Sequence, residues 1–206
     1  MLRCKNRRFK KKLLKEVKNN NTLCLELFST GNSDAQYLAG LGLNPKKMTL
    51  IEIEELLEKS SWIAIDEAII SGIAAESSFA TNLASKWLES TDERKQNVGW
   101  LTYGKYLSIT PDDLVSKKDT QLLLEKISVE IYTAPNTIRY SMNQFIIYVG
   151  QYYPCLTDLC LDIAQQIEDV EISLATKGCK LPNPTLKIKK SISNGKLGVK
   201  RKKVIC

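Results

Sequence analysis

Asp66 is the residue of this chain best placed to do chemistry. On a helix begun at Ser61, successive residues turn by about 100°. That rotation puts Trp62, Ile65, Ile69, Ile70 and Ile73 on one apolar face, with Asp66 in its middle. A carboxylate in apolar surroundings must be paired, protonated or open to a groove, because leaving it bare is too costly. Trp62 lies one turn earlier, so indole and carboxylate would share a surface. The competing reading is structural. It has a core tryptophan beside an aspartate that accepts hydrogen bonds from the next helix start or pairs with Arg94 or Lys95.

The rest of the composition narrows the chemistry further. The 206 residues include no histidine, which removes Ser-His-Asp and Cys-His nucleophiles, imidazole acid–base work and His-liganded metal sites. None of the six cysteines forms a Cys-x-x-Cys pair. They are expected as free thiols, with Cys155 and Cys160 as small core residues. Gly40-Leu41-Gly42 lacks a third glycine at dinucleotide spacing and ends a helix instead, and no phosphate-loop motif occurs. Asp112-Asp113 reads as a helix start and not a metal dyad, Glu54, Glu55 and Glu58 as an exposed acidic face, and Tyr148, Tyr152 and Tyr153 as packing residues. No cofactor and no metal are expected. The basic start is followed by no apolar leader segment, and no apolar run reaches the length of a membrane span. A cytoplasmic monomer without membrane contact is the expectation.

Charge is distributed unevenly. Residues 1 to 18 carry nine Lys/Arg and one Glu, and residues 177 to 206 carry ten Lys/Arg and no acid. The remainder holds 11 basic and 22 acidic side chains, so contributions of +8, +10 and −11 give the net +7. A lone basic run usually serves solubility, but two basic ends on one helical array favour a polyanion such as nucleic acid.

The elements that must hold these residues read as helices throughout. Capping-type clusters open helical stretches at Asn32-Ser33, Ser60-Ser61, Ser90-Thr91 and Asn136-Thr137, at intervals of 28, 30 and 46 residues. Those intervals lie in or near the range of two-helix repeats. Thr49 to Glu52 and Ser90 to Glu93 read as capping boxes, and Thr110-Pro111-Asp112-Asp113 as a further start with proline at the first helical position. The pattern predicts helices over 8–18, 22–29, 33–43, 49–59, 61–75, 79–89, 92–107, 111–133, 136–152 and 155–168. Strand-like alternation is confined to Val170 to Leu174 and Thr185 to Ile188. The expected fold is all-α, a HEAT-like helical repeat solenoid, or α-α superhelix. Its expected parts are a basic segment 1–22, a repeat domain 23–176 and a basic C-terminal segment 177–206.

Several stretches carry a family resemblance: Ser61 to Asp66, Ser90 to Leu107, Ala134 to Asn143, Gly178 to Pro182 and Gly195 to Lys202. Together they resemble the AlkD-like DNA alkylation repair proteins from Leu23 onward. The resemblance implies a HEAT-like superhelix whose concave basic face holds duplex DNA, with alkylated DNA as partner. It further implies release of N3- and N7-alkylated purines without base flipping, with Trp62 and Asp66 as the catalytic Trp-x-x-x-Asp pair. An alkylated purine already carries positive charge and leaves readily, so no general acid is required. A carboxylate would stabilise the cationic sugar electrostatically, and the indole face would add a π contact. The DNA-contacting set implied is Arg94, Lys95, Asn97, Arg139, Asn143, Lys187, Lys189, Lys190, Lys200 and Arg201. The sequence departs from active relatives in having Asn97 near the place of an arginine, no second tryptophan around Gln144, and fewer N-terminal helices. These departures leave open a DNA-structure-binding relative without base excision, or a protein-interaction scaffold.

Overall fold

In the computed structural model of the protein, residues 7–168, 170–173 and 181–205 are described. Every regular element among them is helical. The chain divides into a first unit running to Leu83 and taking in Ile205, and a second unit from Ala84 to Val204.

The first unit is built from α1 (Arg7–Val17), α2 (Asn21–Ser29), α3 (Ser33–Gly42), α4 (Leu50–Lys59), α5 (Ile63–Ile65) and α6 (Ser71–Glu76). Short polar side chains set the starts. Asn20 accepts from Leu23 N–H, Asn32 from Asp34 and Ala35 N–H, and Thr49 forms the predicted reciprocal box with Glu52. Helix α3 packs on α1 and α2. Phe28, Ile53, Leu56, Leu57, Ile65, Ile70 and Ile73 are buried in this unit. Between α5 and α6 the segment Asp66–Ile70 is a π-helix, with Ser71 N–H donating to Asp66 O. Helix α7 (Ala80–Leu88) contains the boundary between the units.

The second unit continues with α8 (Glu93–Ile109), α9 (Lys117–Glu130), α10 (Asn136–Tyr152), α11 (Thr157–Gln166) and α12 (Pro184–Ser193). Helix α10 is its hub and packs against α8, α9, α11 and α12. Trp100 of α8 meets Phe145 of α10 edge-on, with ring centroids 5.3 Å apart, among Leu107, Leu124, Ile127 and Ile146.

The structure revises several local expectations. Thr110 does not start a helix; its N–H closes α8 on Tyr106 O. Pro111 is extended, Asp112–Leu114 form a single 3-10 turn, and α9 begins only after Ser116, which accepts from Asp119 N–H. At α8 the capping side chain is Asp92 rather than Ser90. Asn136 does not cap α10; its amide brackets the backbone of Ser173, accepting at 2.7 Å and donating at 2.8 Å. Thr185 to Ile188 is helical, not a strand, because Asn183 caps α12 and Pro184 occupies its first turn. Residues 170–173 form no strand, while Leu174, Cys4, Cys179 and Cys206 lie outside the described residues.

Candidate nucleic-acid interface and the Asp66 segment

Ser61 is fixed from below by a buried amide. Gln36 Nε2 donates to the terminal carbonyls of two helices, Phe28 O at 3.1 Å and Lys59 O at 2.8 Å. Its Oε1 accepts from Ser61 N–H at 3.0 Å and from Ser61 Oγ at 2.7 Å. One fully satisfied side chain thereby serves carbonyls in the last turns of two helices. It also sets the path of the chain into Trp62. No sequence periodicity singled Gln36 out, since its partners lie 8 to 25 residues away.

Trp62 itself is not on the helix. Its backbone is extended (φ −156°, ψ 135°), its carbonyl opens α5 by accepting from Ile65 and Asp66 N–H, and its side chain is 39 % exposed. The expected apolar face is otherwise real, with Ile65, Ile69, Ile70 and Ile73 all buried. Asp66 goes with that face and is 1 % exposed. The shared open surface expected for indole and carboxylate is therefore absent: one faces solvent, the other lies inside. The π turn that begins at Asp66 brings the isoleucines to α3, where Gly40 leaves room for Ile69. A Cβ at Gly40 would stand 2.1 Å from Ile69 Cγ2. Single π turns recur at functional sites; here the turn serves close packing.

The ten residues expected to meet DNA fall into four groups. Asn97 and Asn143 are buried, and Asn143 Nδ2 donates to Pro182 O at 3.0 Å. Arg139, Lys200 and Arg201 are occupied by the fold. The Arg139 guanidinium donates to Ala134 O, Tyr132 O and Glu171 O at 2.7, 2.9 and 3.2 Å. Lys200 Nζ donates to Leu107 O at 2.8 Å and Tyr152 O at 2.6 Å, and pairs with Asp112 Oδ1 at 2.8 Å. Those two carbonyls belong to the last turns of α8 and α10, so a cation there meets the negative ends of both helices. The Arg201 side chain bonds Tyr148, whose phenol is pushed up mainly by burial and partly drawn back by that guanidinium. Arg94 and Lys95 are half-buried in the first turn of α8, each already with a partner. Only Lys187, Lys189 and Lys190 of α12 stand exposed. Lys196, Lys202 and Lys203 are exposed on the same unit and were not in the expected set.

Residues 4–165 match the DNA alkylation repair enzyme family. The chain belongs to that family. It is 29 % identical to the uncharacterized protein Lin0241 of Listeria innocua and to the uncharacterized protein Lmo0209 of Listeria monocytogenes. In each case the match spans 185 residues, covering 88 % of this chain and 79 % of the relative. A solved structure with TM-score 0.85 and 31 % identity covers 95 % of this chain and 83 % of its own. It is described as one of "a new family of proteins related to the HEAT-like repeat DNA glycosylases with affinity for branched DNA structures". The fold of this family member is accordingly the all-α, HEAT-like helical repeat. No helix among its described residues is long and apolar enough to cross a membrane.

Proposed function

We propose that this member of the DNA alkylation repair family binds branched DNA and does not excise bases. The observation that carries the reading is the burial of Asp66 to 1 % exposure. A carboxylate that stabilises a cationic sugar must lie within contact of that sugar, since electrostatic catalysis acts where charge develops. Asp66 instead lies among Ile65, Ile69 and Ile70 in the first unit. Asn97 near the place of an arginine and the lack of a second tryptophan around Gln144 support the same conclusion. Affinity of the solved relative for branched DNA supports the choice of partner. Binding falls to the exposed α12 lysines, which neutralise phosphates without reading bases.

The test compares a four-way junction with a linear duplex of equal length by fluorescence anisotropy, alongside release of 7-methylguanine and 3-methyladenine from methylated DNA. Tighter junction binding that weakens steeply with salt, and no base release, are expected. Base release by the wild type that disappears in Asp66→Asn overturns the reading in favour of a glycosylase, in which the exposed Trp62 indole would meet the lesion.

A further inference from the structure

Beside α12 the second unit contains a cleft of about 300 Å³ with an unusual wall. Lys187, Lys190, Ser191 and Asn194 follow the spacing i, i+3, i+4, i+7 and share one side of the helix. Tyr152 faces them from the end of α10, and Lys196 reaches in from the turn after α12. Every lining side chain is neutral or cationic. No acid lies anywhere in residues 177–206. Among the described residues none of the three lysines has an acidic partner. Like charges three residues apart on a helix repel each other, and a bound anion would relieve that repulsion.

The frame of the cleft is hydrogen-bonded. Gly195 (φ +63°) and Gly198 (φ +73°) take left-handed backbone conformations that side chains disfavour. The turn they form is tied by Gly195 N–H to Ile192 O at 3.0 Å, Lys196 N–H to Ser191 O at 2.9 Å and Gly198 N–H to Gln151 O at 2.8 Å. Gln151 Nε2 also donates to Lys187 O at 3.0 Å, joining α10 to α12 across the base. Lys200, immediately after, anchors the strand of chain that follows. Three ammonium groups, two hydroxyls and two side-chain amides thus line one cleft on a hydrogen-bonded frame.

We propose that this cleft binds a phosphate group, from a nucleic-acid backbone or from free polyphosphate. A tetrahedral phosphate accepts several charge-assisted hydrogen bonds at once. Lysines suit it as point charges that need no planar match. As a backbone site it rests on the DNA reading above and gives one DNA strand a fixed grip; as a polyphosphate site it is independent of that reading.

The experiment uses the full chain and the triple variant Lys187→Gln, Lys190→Gln, Lys196→Gln, with far-UV circular dichroism to verify the fold. Pyrophosphate is titrated while the backbone amide resonances of Asn194 and Lys196 are followed, and junction affinity is measured between roughly 50 and 200 mM salt. In the wild type saturable shifts are expected, and in the variant none. Junction affinity should fall at least about tenfold at the lower salt, and the salt slope should drop by about three. Reduced junction affinity assigns the cleft to the DNA backbone, whereas saturable pyrophosphate shifts with unchanged junction affinity assign it to free polyphosphate. Should the wild type bind no DNA yet saturate with pyrophosphate, the DNA reading fails and the cleft stands. A triple variant equal to the wild type towards both probes overturns the proposal.

Discussion

The segment around Asp66 and the segment from Pro184 to Lys203 treat charge in opposite ways. The first buries a carboxylate beside buried isoleucines; the second lines up exposed lysines with no acid between them. Within the second segment the contrast repeats itself, because Lys200 is enclosed by carbonyls while Lys189 faces water. Residue type therefore does not decide between structure and binding. Access of solvent does, since a charge that has exchanged water for protein partners has nothing left to offer a ligand.

Removing the buried member should have the largest effect. Asp66→Ala is expected to lower unfolding free energy by about 3 kcal/mol in urea, as loss of a buried charge leaves its surroundings uncompensated, while junction affinity per folded molecule stays within twofold. Unchanged stability with lost DNA affinity would reverse the comparison. Lys200→Met comes next. Two helix-end carbonyls and Asp112 lose their donor, and about 2 kcal/mol of stability should go with it. Lys189→Gln should leave stability within about 0.5 kcal/mol but reduce the slope of log affinity against log salt by about one. Equal behaviour of Lys189 and Lys200 in both assays would abolish the distinction.

The smallest effect is a dependence on pH. Burial holds the Tyr153 phenol up to about 12, with its OH donating to Val115 O. The fold favours the neutral phenol, so this contribution is complete below the unfolded value near 10 and disappears as pH rises from there towards 12. The denaturation midpoint should fall across that window, and Tyr153→Phe should flatten the fall.

Much of the helical frame was legible in the residues. The 3.6-residue period identified the Ile65–Ile73 face, and the Thr49–Glu52 box marked the start of α4 to the residue. Local patterns erred where two neighbouring signals competed. Thr110-Pro111 looked like a start, yet the Thr110 N–H was already needed to close α8. Thr185 to Ile188 alternated like a strand, although Asn183-Pro184 carried the stronger helix-start chemistry. The candidate site was less legible for a different reason. A helical wheel gives the angle of a side chain but not its depth, so Asp66 could be placed on a face and not inside it. The roles of Gln36, Arg139 and Lys200 depend on carbonyls brought close by the fold, several of them distant in sequence, as with Leu107 and Lys200.

The amide of Ile205 donates to Glu76 Oε1 at 2.9 Å, across 129 residues of chain, and both belong to the first unit. During synthesis that unit therefore waits, with one edge unfinished, while the whole of the second unit passes through the ribosome. The hydrogen bond to Glu76 can close only when Ile205 has emerged.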